Sequence, residues 1–385
     1  MTSDRREHTL RVALAGGGTG GHIIPALAIA EQMKQTVASN AVFSDADFLF
    51  FGSDYGLETK LIPEAGYNLI TLPVRGLSRS FSFQGIKRNL SLPSRLLIAI
   101  SRANKALQEY QPHILVGTGG YASAIPVRQS LRNRIPVVMQ EQNSYPGMVT
   151  RLFAQKAAQV FLTYADAEKY LKGARTLLTG NPIREGLKPK PRSEAAAAFG
   201  LKEKLPTLFI LGGSQGAQAM NRHFISKMGS YLEKLDIQVL WQTGRVDYEH
   251  CQRHLGSNPR IKLVAFIEDM AMAYSIANLM VCRAGAMTLT EINHFGLPAI
   301  LIPLPTAAGN HQEYNARSQE VAGAARIVHE SDLGEGAFLP VMTEIFTDKN
   351  KLRTMMTASK NLRRSDAASQ ICEQIIKIVS SCETH

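Results

Sequence analysis

Four short glycine-bearing loops, each between an apolar strand pattern and a helix pattern, constrain the fold of this chain more than any other feature. They occupy residues 16–22, 117–121, 212–217 and 282–291. Glycine lets the backbone approach a ligand closely at such a junction, and the N-terminus of the following helix favours an anion. One dinucleotide-binding domain needs a single loop of this kind. Two loops in each half of the chain predict an α/β protein with two Rossmann-like domains whose strand ends face a common cleft.

The domain organisation follows from where the alternation of strand and helix patterns stops and resumes. The chain has 385 residues, more than a single domain usually contains. Alternation runs from Leu10 to about residue 180, stops at Asn181-Pro182 and resumes at Thr207. We therefore expect one domain over residues 1–182 and a second over 183–364. An amphipathic pattern predicts a C-terminal helix at about 365–385, which could pack back on the first domain.

The first glycine loop, residues 16–22, is open to three interpretations: a site for an anionic diphosphate, a nicotinamide- or flavin-binding turn, and a tight turn without a ligand. Its spacing Gly16-x-Gly18-x-x-Gly21 matches the dinucleotide fingerprint, and Asp54 after the next strand pattern could hold a ribose. A helix pattern begins at Pro25, and the loop amides are expected to face a ligand. His22 at the end of the loop can exchange a proton near neutral pH, which indicates chemistry beside an anion.

The second half of the chain predicts a nucleotide site. Residues 285–291 begin a helix whose first amides can hold a phosphate. Glu291 lies about two turns along that helix, where its carboxylate can accept both hydroxyls of a ribose. The loop at 212–217 could contact the diphosphate from another side. A ligand held by phosphate and ribose together is a nucleoside diphosphate.

Charge is concentrated in one segment. The net charge is +11, and no acidic residue lies between Glu64 and Glu109. The basic residues there, which alternate with apolar ones, are Arg75, Arg79, Lys87, Arg88, Arg95, Arg102 and Lys105. This pattern favours adhesion to an anionic membrane surface, and a solvated basic helix is the simpler alternative. Nucleic-acid binding is not expected, because no nucleic-acid module accompanies the charge.

Targeting, cysteine and metal signals are sparse. The charged start of the chain is not a signal peptide, and no window is apolar for long enough to span a bilayer, so we expect neither translocation nor membrane insertion. Four scattered cysteines predict reduced thiols in a cytosolic protein. Asp45-Ala46-Asp47 is interpreted as the start of a strand and His250-Cys251-x-x-His254 as a solvent-facing helix. We expect no metal and no cofactor.

The ordered succession of motifs resembles the MurG family, the bacterial UDP-N-acetylglucosamine:N-acetylmuramoyl-pentapeptide-pyrophosphoryl-undecaprenol N-acetylglucosaminyltransferases. The resemblance runs from about Leu10 to the C-terminal helix. Its motifs are GGGTGGHIIPALAIA (16–30), GTGGYAS (117–123), EQNSYPG (141–147), TGNPIR (179–184), GGSQGAQ (212–218), FIEDMAMAY (266–274), CRAGAMTLTEI (282–292), GLPAILIP (296–303) and NHQEYNA (310–316). Each motif alone has little specificity, whereas their order is highly specific.

The resemblance implies the glycosyltransferase-B fold and a peptidoglycan-synthesis enzyme. Such an enzyme transfers N-acetylglucosamine from its UDP donor to the 4-hydroxyl of the muramoyl sugar of lipid I, with inversion, and forms lipid II. This activity serves cell-wall biogenesis, cell shape and division at the cytoplasmic face of the inner membrane, where the enzyme is peripheral. A related UDP-sugar transferase acting on another lipid-linked acceptor is the alternative. A nonenzymatic membrane-surface protein would explain only the basic segment.

The resemblance also implies roles for individual residues. Ile267 would offer backbone groups to uracil, and Glu291 would bind the ribose. The residues implied for the diphosphate region are Ser214, Ala286, Met287, Thr288, Leu289 and Thr290. Those implied for the remaining polar groups of the donor are Arg184, Asn143 and Gln312. The residues implied to face the reacting sugars and the acceptor diphosphate are Thr19, Gly20 and Gly21, and by analogy Gly119 and Gly120.

Inversion requires a base that takes the proton of the acceptor hydroxyl. His22 is the candidate, against the alternative that it only orders its loop, and Glu141 is the second choice. Helix N-termini can stabilise the departing diphosphate in place of a metal. Two positions depart from the family pattern. Gln140 stands where the family often has histidine before its Glu-Gln-Asn motif. Gly309 stands where the family often has an acidic residue just before the Asn-His-Gln segment.

Overall fold

The computed structural model describes residues 9–40, 42–74, 92–184, 186–212, 217–334 and 336–383. The chain divides into two compact units. The first contains Met1–Arg184 and Asp366–His385, and the second contains Glu185–Ser365. Each unit is built on its own parallel β-sheet.

The first unit has a seven-stranded parallel sheet with the strand order β3-β2-β1-β4-β5-β6-β7. The strands are β1 Thr9–Gly16, β2 Asp45–Ser53, β3 Asn68–Leu72, β4 Ile114–Gly119, β5 Val137–Glu141, β6 Gln159–Leu162 and β7 Thr176–Leu178. The helices among them are α1 Gly20–Ala38, α2 Glu58–Glu64, α3 Leu92–Tyr110, α4 Ala124–Arg132 and α5 Met148–Phe153. Short 3₁₀ turns lie at Tyr121–Ser123, Ala154–Lys156 and Ala165–Tyr170.

The central strand β1 explains where the first two glycine loops meet. Its residues from Val12 to its end are buried, as expected of a parallel strand covered by helices on both faces. It pairs with β4 so that Ala15 lies opposite Gly117 and Gly16 opposite Gly119. The loops that follow β1 and β4 therefore lie side by side at the carboxyl edge of the sheet, where open α/β sheets bind ligands.

Helix α1 begins earlier than the sequence pattern predicts. Thr19 has an extended backbone, and its carbonyl oxygen accepts hydrogen bonds from the amides of His22 and Ile23, so the helix starts at Gly20. The prediction of a start at Pro25 is wrong. Proline has a backbone φ that suits a helix, and Pro25 lies inside α1. Gly20, Gly21 and His22 consequently form the first turn of the helix.

The second unit has a six-stranded parallel sheet with the order β10-β9-β8-β11-β12-β13. The strands are β8 Thr207–Leu211, β9 Gln238–Gln242, β10 Ile261–Val264, β11 Leu279–Cys282, β12 Ala299–Leu301 and β13 Ala325–Ile327. The helices are α6 Arg192–Phe199, α7 Gln218–Lys234, α8 Tyr248–Leu255, α9 Met270–Ile276, α10 Ala286–Phe295, α11 His311–Val321, α12 Phe338–Thr347 and α13 Lys349–Asn361. Short 3₁₀ turns lie at Ala308–Asn310 and Glu330–Leu333.

The C-terminal helix α14, Ala367–Glu383, returns to the first unit and packs against α1. Ile371 and Ile375 are fully buried in the same core as Ile29, and the Cys372 thiol donates to the Ile29 carbonyl oxygen at 3.5 Å. Each fully buried aliphatic side chain contributes about 1.5–3 kcal/mol of transfer free energy. The helix is thus part of the first core, and burial raises the pKa of the Cys372 thiol.

The polar patterns that resembled metal sites have other roles. Asp45 and Asp47 lie at the start of β2. On α8, His250 and His254 are exposed, as the solvent-facing interpretation requires, but Cys251 is buried in the core, so the interpretation is wrong for Cys251. Among the described residues, no cluster of three or more histidine, cysteine or acidic side chains is arranged to hold a metal. None of the described helices is long and apolar enough to cross a membrane.

Candidate active site

His22 lies where the loops after β1 and β4 are in direct contact. Gly119 and Gly120 both have positive φ, at 101° and 76°. A Cβ atom on Gly119 would lie 2.8 Å from His22 Nδ1, and one on Gly120 would lie 2.3 Å from the Gly17 carbonyl oxygen. Glycine is therefore required at both positions, for backbone conformation and for space. The resulting surface combines the two loops around one imidazole.

The hydrogen bonds of His22 define its tautomer. Nδ1 lies 2.9 Å from the Thr118 carbonyl oxygen and 3.2 Å from Gln142 Oε1. Both partners are acceptors, so the hydrogen-bond network assigns the proton to Nδ1. In the neutral ring Nε2 then carries the lone pair, which is the form that a general base needs.

The start of α1 provides backbone donors close to His22. Thr19 is exposed, Gly20 and Gly21 are partly exposed, and the first turn contains no acidic residue. The Thr19 side chain makes no capping hydrogen bond, so it leaves the first helical amides to other acceptors. This arrangement suits an anionic group, and the assignment of these residues to a diphosphate stays a prediction.

A buried carboxylate that the sequence did not single out supports the first glycine loop from below. Glu58 is fully buried, and its Oε2 accepts the Gly18 amide at 3.0 Å. Its Oε1 accepts the amide and the hydroxyl of Ser53 at 2.8 and 2.6 Å. A Cβ atom on Gly17, Gly52 or Gly56 would approach a Glu58 side-chain atom to 2.6 Å or less. The Gly18 amide faces Glu58, so the expectation that the loop amides face a ligand is wrong for Gly18.

Glu141, the second candidate base, is buried and engaged within its own loop. Its Oε1 accepts the backbone amide and the side-chain amide of Asn143 at 3.0 and 3.2 Å, and its Oε2 accepts the Gly147 amide at 2.9 Å. Three donors thus hold the carboxylate at 2% exposure. This geometry favours a role in shaping the 143–147 loop and in orienting Asn143, and it favours His22 as the proton acceptor.

In the second unit, the helix start at α10 is positioned by Arg283. The Arg283 guanidinium donates to the carbonyl oxygens of Ile302 and Pro303 at 3.1 and 3.3 Å and forms an ion pair with Glu330. Gly285 then takes an extended conformation as the N-cap without a side-chain cap. The end of β11 is thereby tied to the chain after β12, which fixes the direction of α10.

The residues assigned to the diphosphate differ in what they can offer. The Leu289 amide donates to the Gly285 carbonyl oxygen at 3.0 Å, and its side chain is in the core. Thr290 Oγ1 donates to the Ala286 carbonyl oxygen at 2.9 Å. Ala286 and Met287 are buried and Thr288 is partly exposed, so Ala286, Met287 and Thr288 would act through the backbone amides at the helix start. Ser214 lies outside the described residues.

Two further side chains organise the expected uridine contacts. The buried Tyr274 hydroxyl donates to Glu291 Oε2 at 2.7 Å. Gln242, buried at the end of β9, accepts the Ile267 amide through Oε1 at 2.9 Å. The Ile267 amide thus has a partner within the chain. The sequence signal for Tyr274 was its place in the FIEDMAMAY motif, whereas nothing in the pattern indicated Gln242.

The remaining predicted residues are divided between the units. Gln312 Oε1 accepts the Leu304 amide at 3.0 Å within the second unit. Arg184 is exposed and is the last residue of the first segment of the first unit. His22, Glu141 and Asn143 lie together at the carboxyl edge of the first sheet. Each unit therefore contributes its own group of predicted site residues.

Comparison with known proteins shows that the chain is a glycosyltransferase and gives its family. Residues 12–162 match the glycosyltransferase family 28 N-terminal domain, and residues 207–371 match the glycosyltransferase family 28 C-terminal domain. The chain belongs to glycosyltransferase family 28. The predicted α/β class with two Rossmann-like domains is confirmed, and the nicotinamide-enzyme alternative is not supported.

Individual relatives agree with this assignment. A protein of Chlorobaculum tepidum named UDP-N-acetylglucosamine--N-acetylmuramyl-(pentapeptide) pyrophosphoryl-undecaprenol N-acetylglucosamine transferase is 35% identical and aligns with 97% of this chain and 100% of its own length. A protein of the same name from Salinibacter ruber is 35% identical over 100% of both chains. The crystal structure of Acinetobacter baumannii MurG superposes with a TM-score of 0.72 at 26% identity, covering 96% of this chain and 99% of that one. The resemblance to the MurG family is confirmed.

Proposed function

We propose that this protein transfers N-acetylglucosamine from UDP-N-acetylglucosamine to lipid I and thereby forms lipid II for peptidoglycan synthesis. The observation that carries the proposal is that relatives bearing this activity in their names align with nearly the whole chain at 35% identity. Both halves of the chain match the two domains of one glycosyltransferase family. The reaction inverts the anomeric carbon to a β-linkage and releases UDP.

In the first unit, His22 is the proposed base for the muramoyl 4-hydroxyl. Its Nδ1–H donates to Thr118, so Nε2 is the nitrogen that accepts the proton. The acceptor diphosphate is anionic, and Thr19, Gly20 and Gly21 offer the start of α1 to it. Glu141 shapes the loop that presents Asn143 to the donor sugar.

In the second unit, the proposed donor site is centred on Glu291, whose carboxylate accepts the ribose hydroxyls. Ile267 offers backbone groups to the uracil. The backbone amides of residues 286–288, together with Ser214, contact the diphosphate, where the helix N-terminus stabilises the negative charge that develops as UDP leaves. Arg184 and Gln312 serve the remaining polar groups of the donor.

The proposed site of action is the cytoplasmic face of the inner membrane, to which the protein adheres peripherally. Helix α3 supports this proposal, because Leu96, Leu97 and Ile98 are 49%, 68% and 46% exposed beside the exposed Arg102. Its other face packs in the core through residues such as Ala103. Exposed apolar residues among basic ones suit an anionic lipid surface better than a merely solvated helix. The basic residues from 75 to 91 lie outside the described residues.

A product assay tests the function. Purified protein is supplied with UDP-N-acetylglucosamine labelled in the sugar and with a lipid I analogue, and the lipid-linked disaccharide is measured by mass spectrometry. We expect label in the disaccharide only when both substrates are present, in step with UDP release. Transfer to a different lipid-linked acceptor but not to lipid I would favour the related transferase. UDP release without a disaccharide would contradict the proposal.

A further inference from the structure

We propose that Gln142, held in place by Gln140, is a positioning residue that sets the tautomer of His22. The inference deepens the proposed function, on which the catalytic consequence rests. It concerns a buried side-chain network behind the first glycine loop. Gln140, Gln142 and Thr118 are 1%, 2% and 0% exposed.

The orientation of the Gln142 side-chain amide is fixed by three acceptors. Its Nε2 donates to the Thr118 carbonyl oxygen at 2.6 Å, to the Gln140 carbonyl oxygen at 3.2 Å and to Gln140 Oε1. A flipped amide would direct Oε1 at the same three oxygens and lose every one of these bonds. Oε1 is therefore the atom that faces His22 Nδ1.

Gln140 is itself oriented by a second set of partners. Its Nε2 donates to Asn181 Oδ1 at 3.2 Å and to Thr163 Oγ1 at 3.4 Å. These bonds point Gln140 Oε1 towards Gln142 Nε2. Side-chain amides thus form a chain from Asn181 through Gln140 and Gln142 to His22, and consecutive hydrogen bonds of this kind polarise and orient one another.

The network selects one neutral form of the imidazole. Nδ1 faces two oxygen acceptors, from Thr118 and Gln142, so a proton on Nδ1 makes hydrogen bonds to them. A proton on Nε2 instead would leave the Nδ1 lone pair against the same two oxygens, which is repulsive. Gln142 excludes that second form and keeps Nε2 as the nitrogen that can take a proton from a substrate hydroxyl.

A purely structural role would affect folding but not the imidazole tautomer, so the test measures His22 directly. In the full chain labelled with ¹⁵N-histidine, the His22 ring signals are identified among the ten histidines by their loss in the His22→Gln variant. Gln142→Met preserves the length of the side chain and removes the acceptor. The matched control is Gln129→Met, because Gln129 is an equally buried glutamine of α4 whose Nε2 has no hydrogen-bond partner among the described residues.

We expect the native protein and the Gln129→Met variant to show His22 protonated at Nδ1, and Gln142→Met to show a mixture of both tautomers. Turnover by Gln142→Met should fall by about twofold to tenfold, with unchanged affinity for UDP, because only the fraction of His22 that keeps its proton on Nδ1 has a basic Nε2. Gln140→Met should shift the tautomer ratio in the same direction to a smaller extent, and it serves as the test if Gln142→Met does not fold.

Two outcomes separate this inference from the proposed function. A native tautomer signal in folded Gln142→Met, or in Gln140→Met where only that variant folds, overturns the positioning role, even if His22→Gln abolishes turnover. Conversely, a mixed tautomer in Gln142→Met together with near-native turnover by His22→Gln supports the positioning role and shows that the proposed base lies elsewhere.

Discussion

Replacing Glu58 should separate the stability of the first unit from the placement of its first glycine loop. In Glu58→Ala, the Gly18 amide, the Ser53 amide and the Ser53 hydroxyl all lose their acceptor. The hydroxyl can rotate, and Gly18 is exposed, so water can replace the carboxylate there. The buried Ser53 amide sets the scale, because a buried donor without a partner costs about 1–3 kcal/mol. This cost is measurable against the total stability of about 5–15 kcal/mol that a protein has.

The milder variant Glu58→Gln retains Oε1, which accepts the Ser53 amide at 2.8 Å and the Gly18 amide at 3.2 Å, but it replaces Oε2 with an NH₂ group opposite the Gly18 amide. It should therefore lose the shorter of the two Gly18 contacts, at about 0.5–1.5 kcal/mol, and remain folded. Because the loop that carries His22 is held less firmly at Gly18, turnover should fall by up to about tenfold. Affinity for UDP should be unchanged, since the proposed donor contacts lie in the second unit.

The measurements are urea unfolding, steady-state turnover and calorimetric binding of UDP. Glu64→Ala is the matched control, because Glu64 is on the same helix, is 58% exposed and pairs with Lys60 at 3.8 Å across one turn. Such a surface pair contributes less than about 1 kcal/mol. If Glu58→Ala unfolds at the same urea concentration as Glu64→Ala, the argument that the buried carboxylate holds the loop is refuted.

Further predictions concern the nucleotide site, the base, the membrane segment and pH. Glu291→Ala should weaken UDP binding at least tenfold in calorimetry, because a charge-assisted hydrogen bond contributes about 1.5–3 kcal/mol, and unchanged affinity would contradict the ribose assignment. His22→Ala should lower turnover by about a hundredfold or more while UDP still binds, and near-native turnover with chemistry rate-limiting would move the search to Glu141. Reversal of Arg79, Lys87, Arg88 and Arg95 to glutamate should release the protein from anionic vesicles and spare activity on a short-chain acceptor. Equal vesicle binding by the native and reversed proteins would show that this segment is only a solvated basic face. Burial, and secondarily Lys227, lowers the pKa of His223, whose Nε2 lies 2.8 Å from the Tyr231 hydroxyl. The contribution of His223 to stability is therefore complete above the unfolded pKa of about 6.5. It is lost as the pH falls through the lower folded pKa. The thermal midpoint should therefore fall from pH 7 to pH 5.5 and fall less in His223→Gln, and equal slopes would exclude this histidine as a cause.

The strands and the positions of the glycine loops could be predicted because they depend on local patterns. Strand β8 has the bounds that the apolar run at 207–211 indicates, since a parallel strand buried on both faces appears as a continuous apolar segment. The start of α1 could not be predicted from Pro25, because the helix begins where the Thr19 carbonyl first accepts amides. That choice depends on backbone geometry at glycines, which have no side-chain preference.

Glu58 and Gln142 were missed for a different reason. Their partners lie 40 and 120 residues away in the sequence, at Gly18 and His22, so no spacing rule connects them. What the sequence does contain is polar residues at strand ends where burial is expected, such as Ser53 at the end of β2. A buried polar side chain requires a partner, but only the folded sheet shows which one.

The alternation of side chains at the end of β5 explains why neighbouring residues of one motif have different roles. Gln140 and Glu141 are successive residues of β5, so their side chains point to opposite faces of the sheet, and Gln142, just after the strand, bonds back to Gln140. Gln142 reaches His22 and Thr118, and Gln140 supports it from Thr163 and Asn181. Glu141 instead reaches Asn143 and Gly147. A base at Glu141 would have to leave three donors in its own loop. Because the strand directs Gln140 and Glu141 to opposite faces, the chain supports His22 from one face and orients Asn143 from the other.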